Sequence, residues 1–260
     1  MNRFSPSLIV LAIFFAIPGP IQGQHLTFLP FLTKEYCPNN LIFLAFGDSI
    51  TSGYYDTTYS NCPPIDPIEL ANPNCGYPSR LLQLLKNNYG RNFAFHNQGN
   101  GGETTGGGLA RFEATITKAL PSPELILIME GTNDFLGDHG VPFEEVDANL
   151  RAMVGMAQSQ GKRVILATNP PVWNDPNEFD RTLQAERIAA FRDWIFRIGA
   201  DYQIPVVDVW AAFVSHSNWE GDYMSNGNHP NSVGYSVIAQ AFDSKIEQHM
   251  TSNGCYIALH

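Results

Sequence analysis

The apolar run Leu41-Ile42-Phe43-Leu44-Ala45 restricts the possible folds more than any other segment, because five consecutive apolar residues leave no polar face for solvent. Bounded by Cys37-Pro38-Asn39-Asn40 before it and by Gly47 after it, the run predicts a central strand of a parallel sheet, covered on both faces. Its exit, Phe46-Gly47-Asp48-Ser49-Ile50-Thr51, puts a serine just past the carboxyl end of that strand. Open α/β sheets bind their ligands at that edge.

The rest of the chain repeats this alternation. A helix is predicted over residues 77–88, with Leu81, Leu82, Leu84 and Leu85 on one face. A strand over 93–97 follows, running into Gly99-Asn100-Gly101-Gly102-Glu103-Thr104, and another over 125–130, running into Gly131-Thr132-Asn133-Asp134. Then come a helix over 143–159, a strand over 163–168, a helix over 178–200, a short strand at 206–208 and a closing helix over 232–249. Strand and helix in strict alternation predict one three-layer α/β unit, its parallel sheet wound on both faces by right-handed crossovers. Residues 54–74, with Pro63, Pro64, Pro67 and Pro73 and no helical period, read as an ordered excursion beside the serine.

With 260 residues, 44% of them hydrophobic, the chain has enough apolar surface for one good core. Its net charge of −10 argues against nucleic acid and anionic membrane surfaces as partners. Arg3, the apolar stretch of residues 8–17 and Pro18-Gly19-Pro20 form the three parts of a secretory leader, with cleavage after Gly23. Ten apolar residues are too few to span a bilayer comfortably, so no stable membrane anchor is expected and the mature chain, 24–260, is expected to be secreted or periplasmic. An exported chain with four cysteines suggests two disulfides, for which three pairings exist. Cys62 and Cys75 flank the Pro-rich loop, while Cys37 and Cys255 lie outside the first strand and the last helix, so Cys62–Cys75 with Cys37–Cys255 is the natural pairing. No C-x-x-C pair supports a zinc site instead.

Each polar turn falls after a strand, so Ser49, the Gly102 turn and Asn133 gather on one sheet edge, joined by Asn226-Gly227-Asn228-His229-Pro230-Asn231. A serine hydroxyl needs a neighbouring base to become nucleophilic, usually histidine. Acyl transfer also needs donors around the developing oxyanion, which Ser49 N–H, Gly102 N–H and the Asn133 amide can supply. The serine turn is not the G-x-S-x-G elbow, since Thr51 stands at the last glycine position. The glycine run 99–108 lacks the G-K-[ST] ending of a phosphate-binding loop.

These four blocks resemble the SGNH (GDSL-type) hydrolase superfamily, in which Ser49, Gly102, Asn133 and His229 match the name-giving residues. The segment 97–111 and Met129-Glu130-Gly131-Thr132-Asn133-Asp134 are similar to the bacterial thioesterase, lysophospholipase and arylesterase branch. The resemblance covers residues 41–246. It implies a flavodoxin-like five-stranded sheet, ester hydrolysis through an acyl-enzyme, and neither metal nor other cofactor. By that resemblance Ser49 is the nucleophile, His229 the general acid and base, and Ser49, Gly102 and Asn133 the oxyanion hole.

One departure stands at residue 226, where the family usually places an aspartate three residues before its histidine and this chain has Asn226. Three compensations are open: the Asn226 oxygen orients a neutral His229, Asp222 or another acid reaches in, or Asn226-Gly227 deamidates to create the aspartate. The expected function is a secreted serine esterase acting on small lipid, aryl or sugar acyl esters. Its rivals are a catalytically weak binding protein using aromatics such as Trp173 and Trp219, and an acyltransferase.

Overall fold

Parallel strands buried on both faces dictate the architecture seen in the computed structural model, which describes residues 35–36, 40–56, 75–89, 92–136, 140–249 and 256–257. All of these lie in one compact unit, Thr33–His260. The expected leader, residues 1–23, and residues 57–74 of the excursion fall outside the described residues, as do Cys37, Cys62 and Cys255.

In chain order the elements are β1 (Glu35–Tyr36), β2 (Asn40–Gly47), α1 (Ser49–Ser52), α2 (Gly76–Tyr89), β3 (Asn92–Gly99), α3 (Thr105–Lys118) and β4 (Leu125–Met129). They continue with α4 (Phe143–Ser159), β5 (Arg163–Ala167), α5 (Thr182–Tyr202), β6 (Val206–Val207), α6 (Val209–Val214), α7 (Trp219–Tyr223), α8 (Ser232–Glu247) and β7 (Tyr256–Ile257). The main sheet has five parallel strands in the order β3-β2-β4-β5-β6, the flavodoxin-like order expected. β1 and β7 form a separate antiparallel pair.

Alternation along β2 sorts its side chains into two cores. Leu41, Phe43 and Ala45 pack with Tyr77, Leu81 and Leu85 of α2 and with Tyr235, Ile238 and Phe242 of α8. Leu44 and Phe46 face the other way, onto Phe112 of α3, Leu150 and Met153 of α4, and Phe191 and Ile195 of α5. The register pairs Gly47 with both Gly99 and Met129, so β2, β3 and β4 end level and their exits emerge side by side.

Helix α3 was not legible in the sequence, because Gly106, Gly107 and Gly108 in its first turns each disfavour helix by about 1 kcal/mol relative to alanine. Tertiary contacts override that cost. The Asp134 carboxylate accepts from Thr105 N–H at 2.9 Å and from its hydroxyl at 2.6 Å, while Thr104 accepts from Gly107 N at 3.4 Å. Phe112 and Ile116 then bury against the sheet. Helix α5 begins at Thr182 rather than at residue 178, and Glu178 instead accepts from Gly227 N–H and from Arg181 Nε.

Phe112 packs edge-on against Phe46 with ring centroids 4.9 Å apart and is fully buried. Phe112→Ala is therefore expected to destabilise the fold by about 3–5 kcal/mol, measured by urea denaturation. A loss below ~1 kcal/mol would show that α3 is not anchored through this ring.

Candidate active site

The chain leaves β2 through Asp48, whose Oδ1 accepts from Ile50 N–H at 2.8 Å and caps the single turn α1. Ser49 is the first residue of that turn. Its carbonyl accepts from the Ser52 hydroxyl at 2.8 Å and from Tyr54 N–H at 3.0 Å, which pins the main chain behind the serine hydroxyl. The Ser49 side chain is almost fully buried, and its Oγ lies 2.9 Å from His229 Nε2.

His229 comes from far along the chain, on a turn closed by the bridge between Met224 and Pro230 and by Ser225 N–H donating to His229 O at 2.8 Å. Asn226 organises the turn from within. Its Oδ1 accepts from His229 N–H at 2.7 Å and from Asn228 N–H at 3.1 Å, and stands 3.2 Å from His229 Nδ1. Two main-chain donors require an oxygen there, so the amide cannot be turned the other way. The His229 Nδ1 facing that oxygen then carries the hydrogen, and the Nε2 lone pair points at Ser49. The loop after β5 clamps the same turn. Trp173 N–H donates to Gly227 O at 2.9 Å, its indole donates to Asn226 O at 3.1 Å, and Gly227 N–H donates to Glu178 Oε2 at 3.3 Å.

Burial pulls the His229 pKa down to about 4, with the Arg181 charge acting the same way and Glu178 opposing it. The rings of Tyr54 and Tyr55 lie 5.6 and 5.1 Å from the imidazole, and Tyr55 holds a left-handed φ of 60°.

The two remaining predicted residues sit on neighbouring exits. Asn100 N–H donates to Gly47 O at 2.8 Å, seating the glycine turn against the end of β2. Gly102 follows with φ +75°, a conformation suited to glycine, and a Cβ there would meet nothing within 4 Å. Asn133 opens a short 3₁₀ turn after β4, and its Nδ2 donates to Glu103 O at 2.8 Å. An amide carries two hydrogens, so this bond fixes Asn133 beside the glycine turn and leaves a second donor.

Beneath this rim lie acidic groups held out of water. Burial lifts the Asp48 carboxyl to about 7, raises Glu130 well above the carboxylate range and also raises Asp134. Glu130 is almost fully buried, and among the described residues neither of its carboxyl oxygens has a hydrogen-bond partner. Asp222, the acid considered as a stand-in at His229, is exposed and bonds His216 Nε2 at 2.6 Å instead. Trp173, half-buried, is occupied in clamping Asn226, and Trp219 packs partly buried against the core. Among the described residues no group of three His, Cys, Asp or Glu is placed to hold a metal ion, and no helix is long and apolar enough to cross a membrane.

Residues 45–237 match the family model described as GDSL-like Lipase/Acylhydrolase. The chain belongs to that family. An arylesterase of Vibrio mimicus is 31% identical over 123 residues, covering 47% of this chain and 52% of the relative. A GDSL esterase/lipase of Arabidopsis thaliana is 24% identical over 144 residues, covering 49% and 60%. The chain thus spans little more than half the length of these relatives. A lipase/acylhydrolase from Enterococcus faecalis has the same fold, with a TM-score of 0.63 and 24% identity over 85% of this chain and 100% of its own. The acetylxylan esterase Axe2 from Geobacillus stearothermophilus also has a TM-score of 0.63, with 22% identity over 81% and 94%.

Within this family member, sequence reasoning missed Tyr54 and Tyr55 beside the imidazole and the clamp of Trp173, Glu178 and Arg181. The tyrosines immediately follow the serine turn, a proximity that marks them in retrospect. Glu178 and Arg181 carry no sequence signal, because only the approach of two loops distant in sequence gives them a role.

Proposed function

We propose that the protein is a serine ester hydrolase acting on small acyl esters through a covalent acyl-enzyme. The observation that carries this reading is the relay from Ser49 Oγ to His229 Nε2 at 2.9 Å, with Nδ1 backed by the Asn226 oxygen at 3.2 Å. His229 takes the hydroxyl proton as Ser49 Oγ adds to the ester carbonyl. The oxyanion is received by Ser49 N–H, Gly102 N–H and the second hydrogen of Asn133 Nδ2, a type of donor worth about 2.7–4 kcal/mol each. Collapse expels the alcohol, protonated by His229, and water attacks the acyl-serine with the same imidazole as base. Family membership supports this chemistry, and the arylesterase relative supports an ester of modest size.

Asn226 supplies orientation without charge. In a serine protease, exchange of the orienting Asp for Asn lowers kcat about 10⁴-fold because the histidine takes the wrong tautomer. Here the main-chain donors on Asn226 Oδ1 hold the right one, so only the charge stabilising the imidazolium is missing. That missing charge favours a second reading, a slow enzyme or binding protein on the same scaffold. Ser49→Ala is expected to abolish both ester hydrolysis and labelling by an organophosphonate while leaving Tm nearly unchanged. Hydrolysis that survives this change would refute the nucleophile, and an unlabelled, inactive wild type would favour the binding protein.

The lowered pKa of His229 has a definite sign in activity. A depressed pKa keeps the imidazole neutral, hence basic, down to about pH 4, so the acid limb of kcat/KM is expected near 4 instead of near the usual 6.5. Asn226→Asp, by favouring the imidazolium, should move that limb upward. Repeating the profile in Asp48→Asn removes the buried carboxyl titrating near 7. A wild-type limb near 6.5 that persists in Asp48→Asn would contradict the buried, neutral histidine.

The leader-like sequence pattern of residues 1–23 supports a reading of export and of a mature one-domain chain from residue 24. Among the described cysteines, Cys75 is disulfide-bonded. The antiparallel register pairs Tyr36 with Tyr256, the sequence neighbours of Cys37 and Cys255. This supports the pairing Cys37–Cys255 with Cys62–Cys75, the latter clamping the excursion beside Ser49. Peptide mapping of the exported protein without reduction is expected to recover those two cystine peptides and an N-terminus at residue 24. A Cys62 or Cys255 peptide alkylated before reduction would overturn the pairing.

A further inference from the structure

The turn that orients His229 also holds the parts of a reaction on itself. Asn226 is followed by Gly227, whose nitrogen is unhindered, and that N–H donates to Glu178 Oε2 at 3.3 Å. The amide oxygen of Asn226 meanwhile accepts two main-chain hydrogen bonds, from His229 N at 2.7 Å and Asn228 N at 3.1 Å. A nucleophilic nitrogen beside a carboxylate, next to a carbonyl polarised by two N–H groups, has the layout of a base and an oxyanion hole. The site is also fitted to glycine at 227, because a Cβ there would stand 2.6 Å from Arg181 Nε and 3.0 Å from Glu178 Oε2 and would push those side chains away.

We propose that Asn226 is a self-modification site, at which Glu178 assists attack by the Gly227 nitrogen on Asn226 Cγ and the residue is converted to aspartate. The Gly227 N–H proton passes to Glu178 as the N–Cγ bond forms. The C–N bond of the side-chain amide then breaks, that proton goes to the leaving nitrogen, and ammonia departs. The resulting succinimide is opened by water. Attack at Cγ yields aspartate at this position, and attack at the main-chain carbonyl would yield isoaspartate with a lengthened main chain. Two main-chain donors polarise Cγ, whereas among the described residues the main-chain carbonyl accepts only from the Trp173 indole at 3.1 Å, so opening is directed to aspartate. In sum, asparagine and water give aspartate and ammonia, with no oxidant or metal required. The product carboxylate lies where Oδ1 now faces His229 Nδ1 and supplies the absent charge. The consequence for activity rests on the esterase reading above, but the modification itself does not.

The test follows freshly purified full-length protein over days of storage, reading the peptide that contains residue 226 by mass spectrometry. Aspartate and isoaspartate are separated chromatographically, and aryl-ester hydrolysis is read in parallel. Conversion is expected to be faster in the folded protein than in the same protein kept in denaturant, and to yield aspartate. Glu178→Gln should slow it on the order of tenfold to a hundredfold, at or below the usual range for a positioned base because Arg181 shares the carboxylate. Asn226→Gln, whose longer side chain cyclises poorly, should not convert. Should Glu178→Gln fail to fold, the comparison of folded with denatured wild type still decides. Ser49→Ala should convert at the wild-type rate, which keeps this outcome separate from any failure of ester hydrolysis. Activity should rise with the aspartate fraction towards that of fresh Asn226→Asp. Folded protein that converts no faster than denatured protein, or that yields mainly isoaspartate with falling activity, would overturn the proposal.

Discussion

The reversal of strand order at β2 is the constraint on which the rest of the site depends. β3 and β4 lie on opposite sides of β2, the kind of switch in strand order beside which open α/β sheets bind their ligands at the carboxyl edge. Because the register ends the strands level, at Gly47, Gly99 and Met129, the serine turn, the glycine turn and the asparagine turn stand at one height. A slip of one residue in either pairing would move these exits out of line and turn the apolar side chains of β2 to the wrong faces. Packing on both sides fixes the register, since Phe43 and Phe46 are each fully buried in opposite cores.

Placing the serine at this edge also places acids behind it. Asp48 must cap the turn that carries Ser49, and Asp134 must hold the start of α3, so neither can be exchanged for an apolar residue without loss of a hydrogen bond. Burial then raises their pKa values, and Glu130 adds a carboxyl with no hydrogen-bond partner among the described residues. Such groups oppose folding increasingly as pH rises from the ordinary carboxylate range, because the unfolded chain ionises them freely and the folded chain does not.

Asn226 separates two duties that an aspartate would combine. Orientation needs only an acceptor held in place, and the N–H groups of residues 228 and 229 provide the holding. Stabilising an imidazolium needs negative charge, which a neutral amide lacks. The nearby carboxylate, Glu178, is shared with Arg181, so its influence on His229 is largely offset. The electrostatics of the site therefore depend on whether residue 226 carries an amide or an acid.

Residues adjacent in the chain could be interpreted from pattern alone. The five-residue apolar run of β2, the leucines of α2 and the turns at Gly102 and Asn133 each announce their element, because a strand or helix is dictated by near neighbours in the chain. The same locality placed Ser49, Gly102, Asn133 and His229 on one edge once the elements alternated. Helix α3 was hidden because its stability comes from Asp134 and from the sheet, neither of which is a neighbour in sequence. The clamp from Trp173 and Glu178 was hidden for the same reason, since it forms only where two loops distant in sequence meet. The pairing of Asp222 with His216 and the direction of the Asn226 amide depend instead on which of several donors claims an oxygen, and folding in three dimensions makes that choice.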